Sequence, residues 1–393
     1  VSGRVGVVPS RPWVSCHLIL STVFSGAEKV VVDELNTLDR GRFAPSLVCT
    51  EENAGAFRRR LKGDVRVVPI RSGKQGWARD PGLTLRVRRA LREVSPRVLC
   101  CHNNSAWNLG LLLRPWLGWP GILATEHINL SGLGGQGVGA ARSQKFQLYL
   151  WALRGLLRGR VRFVAVSSAV QEYLQSVYEI PDERISILEN GIDTDDYPYS
   201  FRSRDDLRER LGMAPEEPLA VVVGRFDTQK GYIYFQEALR DLVARQPMLR
   251  VVYVGEGPLR AELQRDLDAK GLTHVVHFLG FVDDVKGVLA NADLFVLPSL
   301  WEGLPIALLE AMSLGLPCVA TAVDGTVRVI RDGEDGRLVP PKDPGALVTA
   351  IEATLKDRGD AEAMGRRGRA RVGDHFDVHG RTRRLESLIE ELA

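Results

Sequence analysis

Residues 291–321 read NADLFVLPSLWEGLPIALLEAMSLGLPCVAT. Within them an apolar run over 294–298 predicts a buried strand, and a second apolar run over 317–320 predicts another. Between the two lies a Gly-Leu-Pro turn followed by a helix. Pro305 suits the first turn of that helix, where its missing N–H costs nothing. Glu302 precedes the helix and Glu310 sits one to two turns inside it. Two carboxylates and a helix N-terminus are thereby expected at one strand end, where doubly wound sheets bind ligands. The free N–H groups of the turn favour an anion, and each carboxylate can accept two hydroxyls of a vicinal diol. Two glutamates eight positions apart are weak evidence by themselves. A loop carboxylate at Glu302 and an exposed helix residue at Glu310 form the bland alternative.

The same alternation extends outward over the whole chain. Short β-rich runs are expected at 17–21, 46–50, 65–69, 98–102, 121–125, 162–167 and 185–189. After a break they resume at 219–224, 250–255, 275–280, 294–298, 317–320 and 336–339. Helical stretches such as 27–38 and 83–94 separate many of them. This pattern implies parallel sheets with helices on both faces. The expected fold is therefore α/β, with two Rossmann-like doubly wound domains facing a central cleft. The break falls in the polar stretch 195–217 (DDYPYSFRSRDDLRERLGMAPEE). The expected division is 1–195, 196–377, and a C-terminal helix over 378–393 that packs towards the N-terminal domain with Leu385, Leu388, Ile389 and Leu392 on one side.

Composition bounds the function. With 393 residues, 45% apolar and 26% charged, the chain has the makeup of a soluble protein with more than one core. The apolar stretch 109–124 is interrupted by Arg114, Pro115 and Pro120, so no transmembrane run is expected. The opening VSGRVGVVPSRP has no h-region of signal-peptide length. A cytoplasmic location, peripheral at the inner membrane face, is the expectation. Cys16, Cys49, Cys100, Cys101 and Cys318 form no CxxC pair and read as buried free thiols. His274 with His277, and His375 with His379, lack a further ligand set, so no metal is expected.

The formal net charge of +3 hides an asymmetry. Residues 1–180 hold 25 Lys+Arg against 12 Asp+Glu, and residues 181–393 hold 27 against 37. Net charges of +13 and −10 suggest different partners for the two halves. From Arg58 to Arg97 there are 13 Lys+Arg against 3 Asp+Glu. Residues 83–93 (LTLRVRRALRE) would form a basic amphipathic helix that suits anionic lipid headgroups. Single-stranded nucleic acid is disfavoured, because aromatic interleaving is missing. A solvated basic face is the alternative.

Three further elements carry candidate chemistry. In 221–231 (VVVGRFDTQKG), Arg225 and Lys230 flank a strand end beside glycines. Two cations there suit a diphosphate and would stabilise charge on a departing one. In 252–263 (VYVGEGPLRAEL), a strand runs into a tight Gly-Glu-Gly-Pro turn; the third glycine of a dinucleotide fingerprint is missing, so the expectation is a turn near a nucleotide, with a purely structural turn as the alternative. In the N-terminal half, FSGAE at 24–28 turns from the first strand into the first helix. His127 ends a strand in ATEHINL, ahead of Gly132, Gly134, Gly135, Gly137 and Gly139, which suit a loop that orders over substrate.

Together and in this order, SGAE, TEH, the NGID of 190–193, GRFDTQKG, VGEGPLR, FLGF and PSLWEGLPIALLEAM resemble glycosyltransferase family 4, the retaining nucleotide-sugar enzymes of GT-B fold. The resemblance spans nearly the whole chain. It implies Arg225 and Lys230 as diphosphate ligands, Glu310 on the ribose hydroxyls and Glu302 on the donor sugar. It implies backbone contacts from Gly303, Leu304, Pro305 and Ile306, and places Gly280, Phe281 and Val282 beside the base. His127 would reach the transferred sugar, and Gly26 would lie beside the phosphates and acceptor. It further implies no metal or other cofactor, a nucleoside-diphosphate sugar as donor, and a saccharide or lipid-linked acceptor. Two departures stand out. Ser25-Gly26 replaces a Gly-Gly pair, and Arg328 stands in 324–328 (DGTVR) where glutamate is common. A nucleotide-sugar 2-epimerase of the same fold, a transferase with a soluble acceptor, and a binding protein without activity are the alternatives.

Overall fold

The computed structural model describes residues 12–72, 80–127, 144–157, 159–198, 206–214 and 216–393. The glycine-rich run from Gly132 to Gly139 lies outside them, as does part of the basic stretch between Arg58 and Arg97. The described residues divide into two units, one of 1–190 with 378–393 and one of 191–377.

The first unit is built on a seven-stranded sheet in the order β3-β2-β1-β4-β5-β6-β7. Its strands are β1 (Trp13–Ile19), β2 (Phe43–Thr50), β3 (Arg66–Ile70), β4 (Val98–His102), β5 (Gly121–Glu126), β6 (Val161–Ala165) and β7 (Ile185–Ile187). All pairings are parallel. β4 and β5 are buried along their whole length, as strands covered on both faces must be, which is why each opens as an apolar run, with the polar residues His102, Thr125 and Glu126 at their C-terminal ends. β1 starts four residues earlier than its apolar run suggests, because Trp13 N–H bonds Arg42 O at 2.8 Å and extends the pairing with β2.

Side chains start several helices. Asp80 caps the helix Pro81–Val94 through Leu83 N–H at 3.1 Å. Ser167 caps the helix Ser168–Tyr178 through Val170 N–H at 3.3 Å. Each satisfies a donor that the helix cannot. The helix Val378–Leu392 buries Leu385, Ile389 and Leu392 in the core of this first unit. It packs against the helix Gly26–Thr37 and β5. A Cβ on Gly121 would sit 2.4 Å from Leu392 O, so only glycine lets β5 start beneath the helix end.

The second unit carries a six-stranded, all-parallel sheet in the order β10-β9-β8-β11-β12-β13. These strands are β8 (Leu219–Val223), β9 (Arg250–Val254), β10 (Val276–Gly280), β11 (Leu294–Leu297), β12 (Cys318–Thr321) and β13 (Arg337–Val339). β8 and β11 are neighbours although three helices separate them in sequence, so the topological switch point lies between them. That crevice is where the rule for doubly wound sheets puts a ligand. The five cysteines are buried free thiols, and burial pushes those of Cys16 and Cys49 up to about 12.

Candidate active site

Glycines bring the strand ends of the second unit together. Gly255 has φ +139°, and a Cβ there would lie 2.1 Å from Gly224 O. A Cβ on Gly257 would lie 2.4 Å from Phe226 O. The turn after β9 therefore lies directly against the turn after β8, with Phe226 N–H donating to Glu256 O at 3.0 Å. The Gly-Glu-Gly-Pro turn is a packing device for the β8 loop, which explains its partial resemblance to a dinucleotide fingerprint. Gly280 ends β10 at φ +71° and bonds Gly255 N–H through its carbonyl at 2.8 Å. Phe281 beyond it is half exposed, and Val282 is partly buried.

A second glycine contact docks the β8 loop on β11. Gly231 has φ +63°, and its absent Cβ would fall 2.0 Å from Pro298 O. Leu300 N–H donates to Gln229 O at 2.7 Å, and Gln229 Nε2 donates to Trp301 O at 3.0 Å. This docking carries Lys230 Nζ to 2.6 Å from Glu302 Oε1. Ser299 Oγ donates to the same oxygen at 2.6 Å. Glu302 is buried and Lys230 nearly so, so the ion pair is sheltered from water. Its second carboxylate oxygen and the remaining ammonium hydrogens are the groups left to meet a ligand. Arg225 is more than half exposed and stands 3.6 Å from Asp227 Oδ2. Burial raises the pKa of the Asp227 carboxyl, with Arg225 and Lys230 opposing the shift.

The helix after this loop runs from Ile306 to Ser313, with Pro305 as N-cap in an extended conformation. Pro305 therefore stands one position before the first helical turn, where it has no N–H to leave unpaired, and its carbonyl accepts from Leu308 and Leu309 N–H. Glu310 is 6% exposed, which sets aside the reading of an exposed helix residue. Its Oε1 accepts from Tyr197 Oη at 2.8 Å. Gly325, in the helix Asp324–Val329, rests on the Gly303 turn, since a Cβ there would lie 2.2 Å from Gly303 O. Arg328 of that helix is exposed, its guanidinium 5.9 Å from the Phe376 ring.

In the first unit, Gly26 opens the helix Gly26–Thr37 and is exposed. Ser25 folds its N–H and its hydroxyl onto the Glu28 carboxylate at 2.8 and 2.7 Å. His127 follows β5 and is buried. It ends a chain of three stacked imidazoles. His17 Nδ1 lies 3.0 Å from His102 Nε2, and His102 Nδ1 lies 3.1 Å from His127 Nε2. Glu34 Oε2 stands 3.3 Å from His17 Nδ1 and 3.6 Å from His102 Nε2. Arg381 Nη1 lies 2.6 Å from the other Glu34 oxygen. Burial alone would raise the pKa of Glu34, but Arg381 and the two imidazoles hold it well below the usual carboxylate range. Burial lowers His102 far below the ordinary imidazole value and His127 to about 4. Both rings are therefore neutral at pH 7.

His17, Glu34 and His102 bring three metal-capable atoms within 4.8 Å of one another. Arg381 already supplies the positive charge that Glu34 needs, and the imidazoles bond one another. The three imidazoles form a hydrogen-bonded chain, whereas both Glu34 oxygens and the Arg381 nitrogens are buried without a hydrogen-bond partner among the described residues and meet as an ion pair.

Two family descriptions match the chain side by side: Glycosyltransferase Family 4 over residues 24–196 and Glycosyl transferases group 1 over residues 203–371. The chain belongs to glycosyltransferase family 4. It is 25% identical over 383 residues to the UDP-Gal:alpha-D-GlcNAc-diphosphoundecaprenol alpha-1,3-galactosyltransferase of Escherichia coli, with 96% of each chain covered. It is 31% identical over 255 residues to the GDP-mannose-dependent alpha-(1-6)-phosphatidylinositol monomannoside mannosyltransferase of Mycolicibacterium smegmatis, covering 61% of this chain and 66% of that one. Among solved structures, Anabaena Alr3699/HepE in complex with UDP and glucose superposes with a TM-score of 0.78 at 20% identity, over 96% and 99% of the two chains. WaaG, a glycosyltransferase involved in lipopolysaccharide biosynthesis, gives a TM-score of 0.75 at 20% identity, over 96% and 99%. These likenesses establish the fold as that of the GT-B glycosyltransferases.

For a family 4 enzyme, the geometry adds residues that the sequence did not announce. Ser299 and Gln229 fix the Lys230–Glu302 pair, and Tyr197 holds Glu310. Tyr197 precedes its partner by 113 residues, so no local spacing could have linked them. His17, Glu34 and Arg381 were likewise invisible, being joined to His102 and His127 only by parallel pairing of β1, β4 and β5 and by the last helix.

Proposed function

We propose that the protein transfers a glycosyl group from a nucleoside-diphosphate sugar to an acceptor hydroxyl, with retention at the anomeric carbon and without a metal ion. The observation that carries this reading is the Lys230–Glu302 pair at the switch point, beside the Ile306–Ser313 helix N-terminus and the buried Glu310. Arg225, Lys230 and the free N–H groups after Pro305 would receive the diphosphate. Glu310, aligned by Tyr197, would accept the ribose hydroxyls. Glu302 would accept from the sugar through its second oxygen, with Gly303, Leu304 and Ile306 offering backbone contacts. Gly280, Phe281 and Val282 would border the base, and His127 and Gly26 would belong to the sugar and acceptor side.

In the reaction, the acceptor oxygen forms a bond to the anomeric carbon as the bond to the diphosphate oxygen breaks. The acceptor proton passes to the leaving phosphate, so no protein nucleophile is required. Charge accumulating on the diphosphate would be balanced by Lys230, held in place by Glu302 before the reaction, and by the exposed Arg225. These two cations support the expectation that chelation leaves turnover intact.

A lipid-borne acceptor is favoured by the named acceptors of both relatives and by a patch on the first unit. The helix Pro81–Val94 packs against the turn Arg114–Leu117. Leu85, Trp116 and Trp119 are at least half exposed there, and Arg89 and Arg92 are exposed as well. Arg86 is committed to Asp80 at 2.9 Å. Tryptophan with arginine suits an anionic headgroup layer. Among the described residues, no helix is long and apolar enough to cross a membrane, so peripheral attachment at the cytoplasmic face is the proposal.

The test is a panel of UDP-galactose, UDP-glucose, GDP-mannose and ADP-glucose, offered with a short polyprenyl-diphosphate-linked sugar. Product anomeric configuration is read by NMR, with and without EDTA. One donor should be consumed with its α configuration kept and no loss on chelation. An inverted product or a metal requirement would refute the mechanism. Epimerised nucleotide sugar formed without acceptor would favour the epimerase.

A further inference from the structure

The imidazole chain in the first unit has a property that follows from hydrogen-bond logic alone. Burial keeps His102 and His127 neutral, and a neutral imidazole has one N–H and one bare nitrogen. The contacts run from His17 Nδ1 to His102 Nε2 and from His102 Nδ1 to His127 Nε2. If His17 Nδ1 carries hydrogen, His102 Nε2 must accept. His102 Nδ1 then donates, His127 Nε2 accepts, and the His127 proton resides on Nδ1. The opposite sense would place every proton on Nε2. No mixed arrangement satisfies both contacts, so the far end of the chain dictates the tautomer at His127.

Glu34 selects the sense. Its anionic Oε2 lies nearer His17 Nδ1, at 3.3 Å, than His102 Nε2, at 3.6 Å. A bare nitrogen on His17 would point its lone pair at that charge, whereas an N–H there is attracted to it. Arg381 keeps Glu34 ionised. The outcome appears at His127. Its Nδ1 is buried and meets no hydrogen-bond partner among the described residues, so an N–H at that atom lacks an acceptor there that a sugar oxygen reaching it would supply.

We propose that His17 and His102, polarised by the Glu34–Arg381 pair, are positioning residues that fix His127 as an Nδ1–H donor towards a sugar oxygen. The claim deepens the proposed function and rests on its reading that His127 meets the transferred sugar. It gives the last helix, through Arg381, a purpose beyond packing: it holds the anion that sets the proton. It also explains why three histidines converge in a core otherwise filled largely by apolar side chains and thiols.

The test uses the full chain labelled with 15N in its histidine rings, with His127 assigned from the signals missing in His127→Ala. Ring nitrogen shifts distinguish a protonated from a bare nitrogen at pH 7.5. Wild type should show hydrogen on His127 Nδ1 and a bare Nε2. His102→Leu should leave His127 a mixture of tautomers. It should also lower kcat with the fastest donor of the panel about tenfold, with donor KM within about twofold. His102→Asn places an amide where His102 Nδ1 was, so it should restore the single tautomer and most of kcat even if His102→Leu folds poorly. Hydrogen on His127 Nε2 in wild type would overturn the proposal, as would a His127 signal unmoved in His102→Leu. Stoichiometric zinc in the purified protein that His17→Ala abolishes would overturn it as well. The ring signals need no donor. Wild-type turnover in His127→Ala would therefore count against the catalytic reading separately from the proton placement.

Discussion

Lys230 and Glu302 stand 72 residues apart in sequence and 2.6 Å apart in space. The contact joins the loop after β8 to the loop after β11 across the switch point, and it ties the cation proposed for phosphate to the anion proposed for sugar. Neither group is placed by its own loop alone. Gly231, Gln229 and Ser299 together hold the pair in register.

Lys230→Ala should therefore do two things. Loss of the charge facing the leaving diphosphate should lower kcat by about 10²–10³. Leaving Glu302 buried with only Ser299 should also lower stability by about 1–3 kcal/mol. Lys230→Met removes the charge while keeping most of the stem over Gly224. It should recover part of the stability and none of the turnover. Denaturant unfolding beside steady-state rates separates the two effects.

Glu310→Ala should weaken nucleoside-diphosphate binding by about 1.5–3 kcal/mol, roughly 10- to 150-fold, through loss of a charged acceptor. Tyr197→Phe leaves the carboxylate in place and removes only its aligning bond, so the loss should be smaller, about 1 kcal/mol. Calorimetric titration with UDP and GDP measures both. Equal losses would mean that Tyr197 touches the nucleotide itself.

Gly231→Ala should be far more damaging than Gly63→Ala. Both positions have positive φ, +63° and +72°, but nothing lies within 4 Å of a Cβ at Gly63, whereas Gly231 faces Pro298 O at 2.0 Å. The Gly63 variant should lose only about 1 kcal/mol for the left-handed backbone. The Gly231 variant must separate two loops, so turnover should collapse along with Lys230–Glu302 geometry. Thermal melts and rates of the two variants make the comparison.

Stability should fall on acidification before most carboxylates titrate. His102 and His127 have folded pKa values below the ordinary 6.5, and for His127 the value is about 4. Between those limits the unfolded chain binds protons that the folded chain refuses, so unfolding free energy rises with pH. Each such histidine contributes up to about 1.4 kcal/mol per pH unit. Glu34 is lowered instead, so its contribution is present above its unfolded value of 4.5 and is lost as pH falls further. Urea unfolding at pH 7, 6 and 5 should show a decline, shallower in His102→Asn. A flat profile over that window would mean the rings are charged in the fold.

Much of this was legible in the sequence because parallel strands buried on both faces announce themselves. β11 is an uninterrupted apolar run and β4 is one up to His102, and every expected strand has a counterpart within a few residues. Arg225, Lys230, Glu302 and Glu310 were legible because each follows such a strand at short range. The histidine chain was not. His17 and His102 sit mid-sheet on strands that pair side by side, 85 residues apart, and the pattern of either strand alone reads as core. By helical spacing Arg381 falls on the same stripe as Val378, Leu385 and Leu392; it is a cation at a core-facing position, 6% exposed, with Glu34 buried beside it. Apolar periodicity reports which face is covered. It does not report which polar residue a neighbouring helix has been chosen to neutralise.

The central claim is that the Arg225, Lys230, Glu302 and Glu310 set is a nucleoside-diphosphate-sugar site. Its most direct test is calorimetric titration of UDP and GDP into wild type, Lys230→Ala and Glu310→Ala at one salt concentration. The account predicts saturable binding of one nucleotide to wild type, and at least tenfold weaker binding to each variant. Binding of equal affinity to all three proteins, or no binding of either nucleotide to wild type, would contradict it.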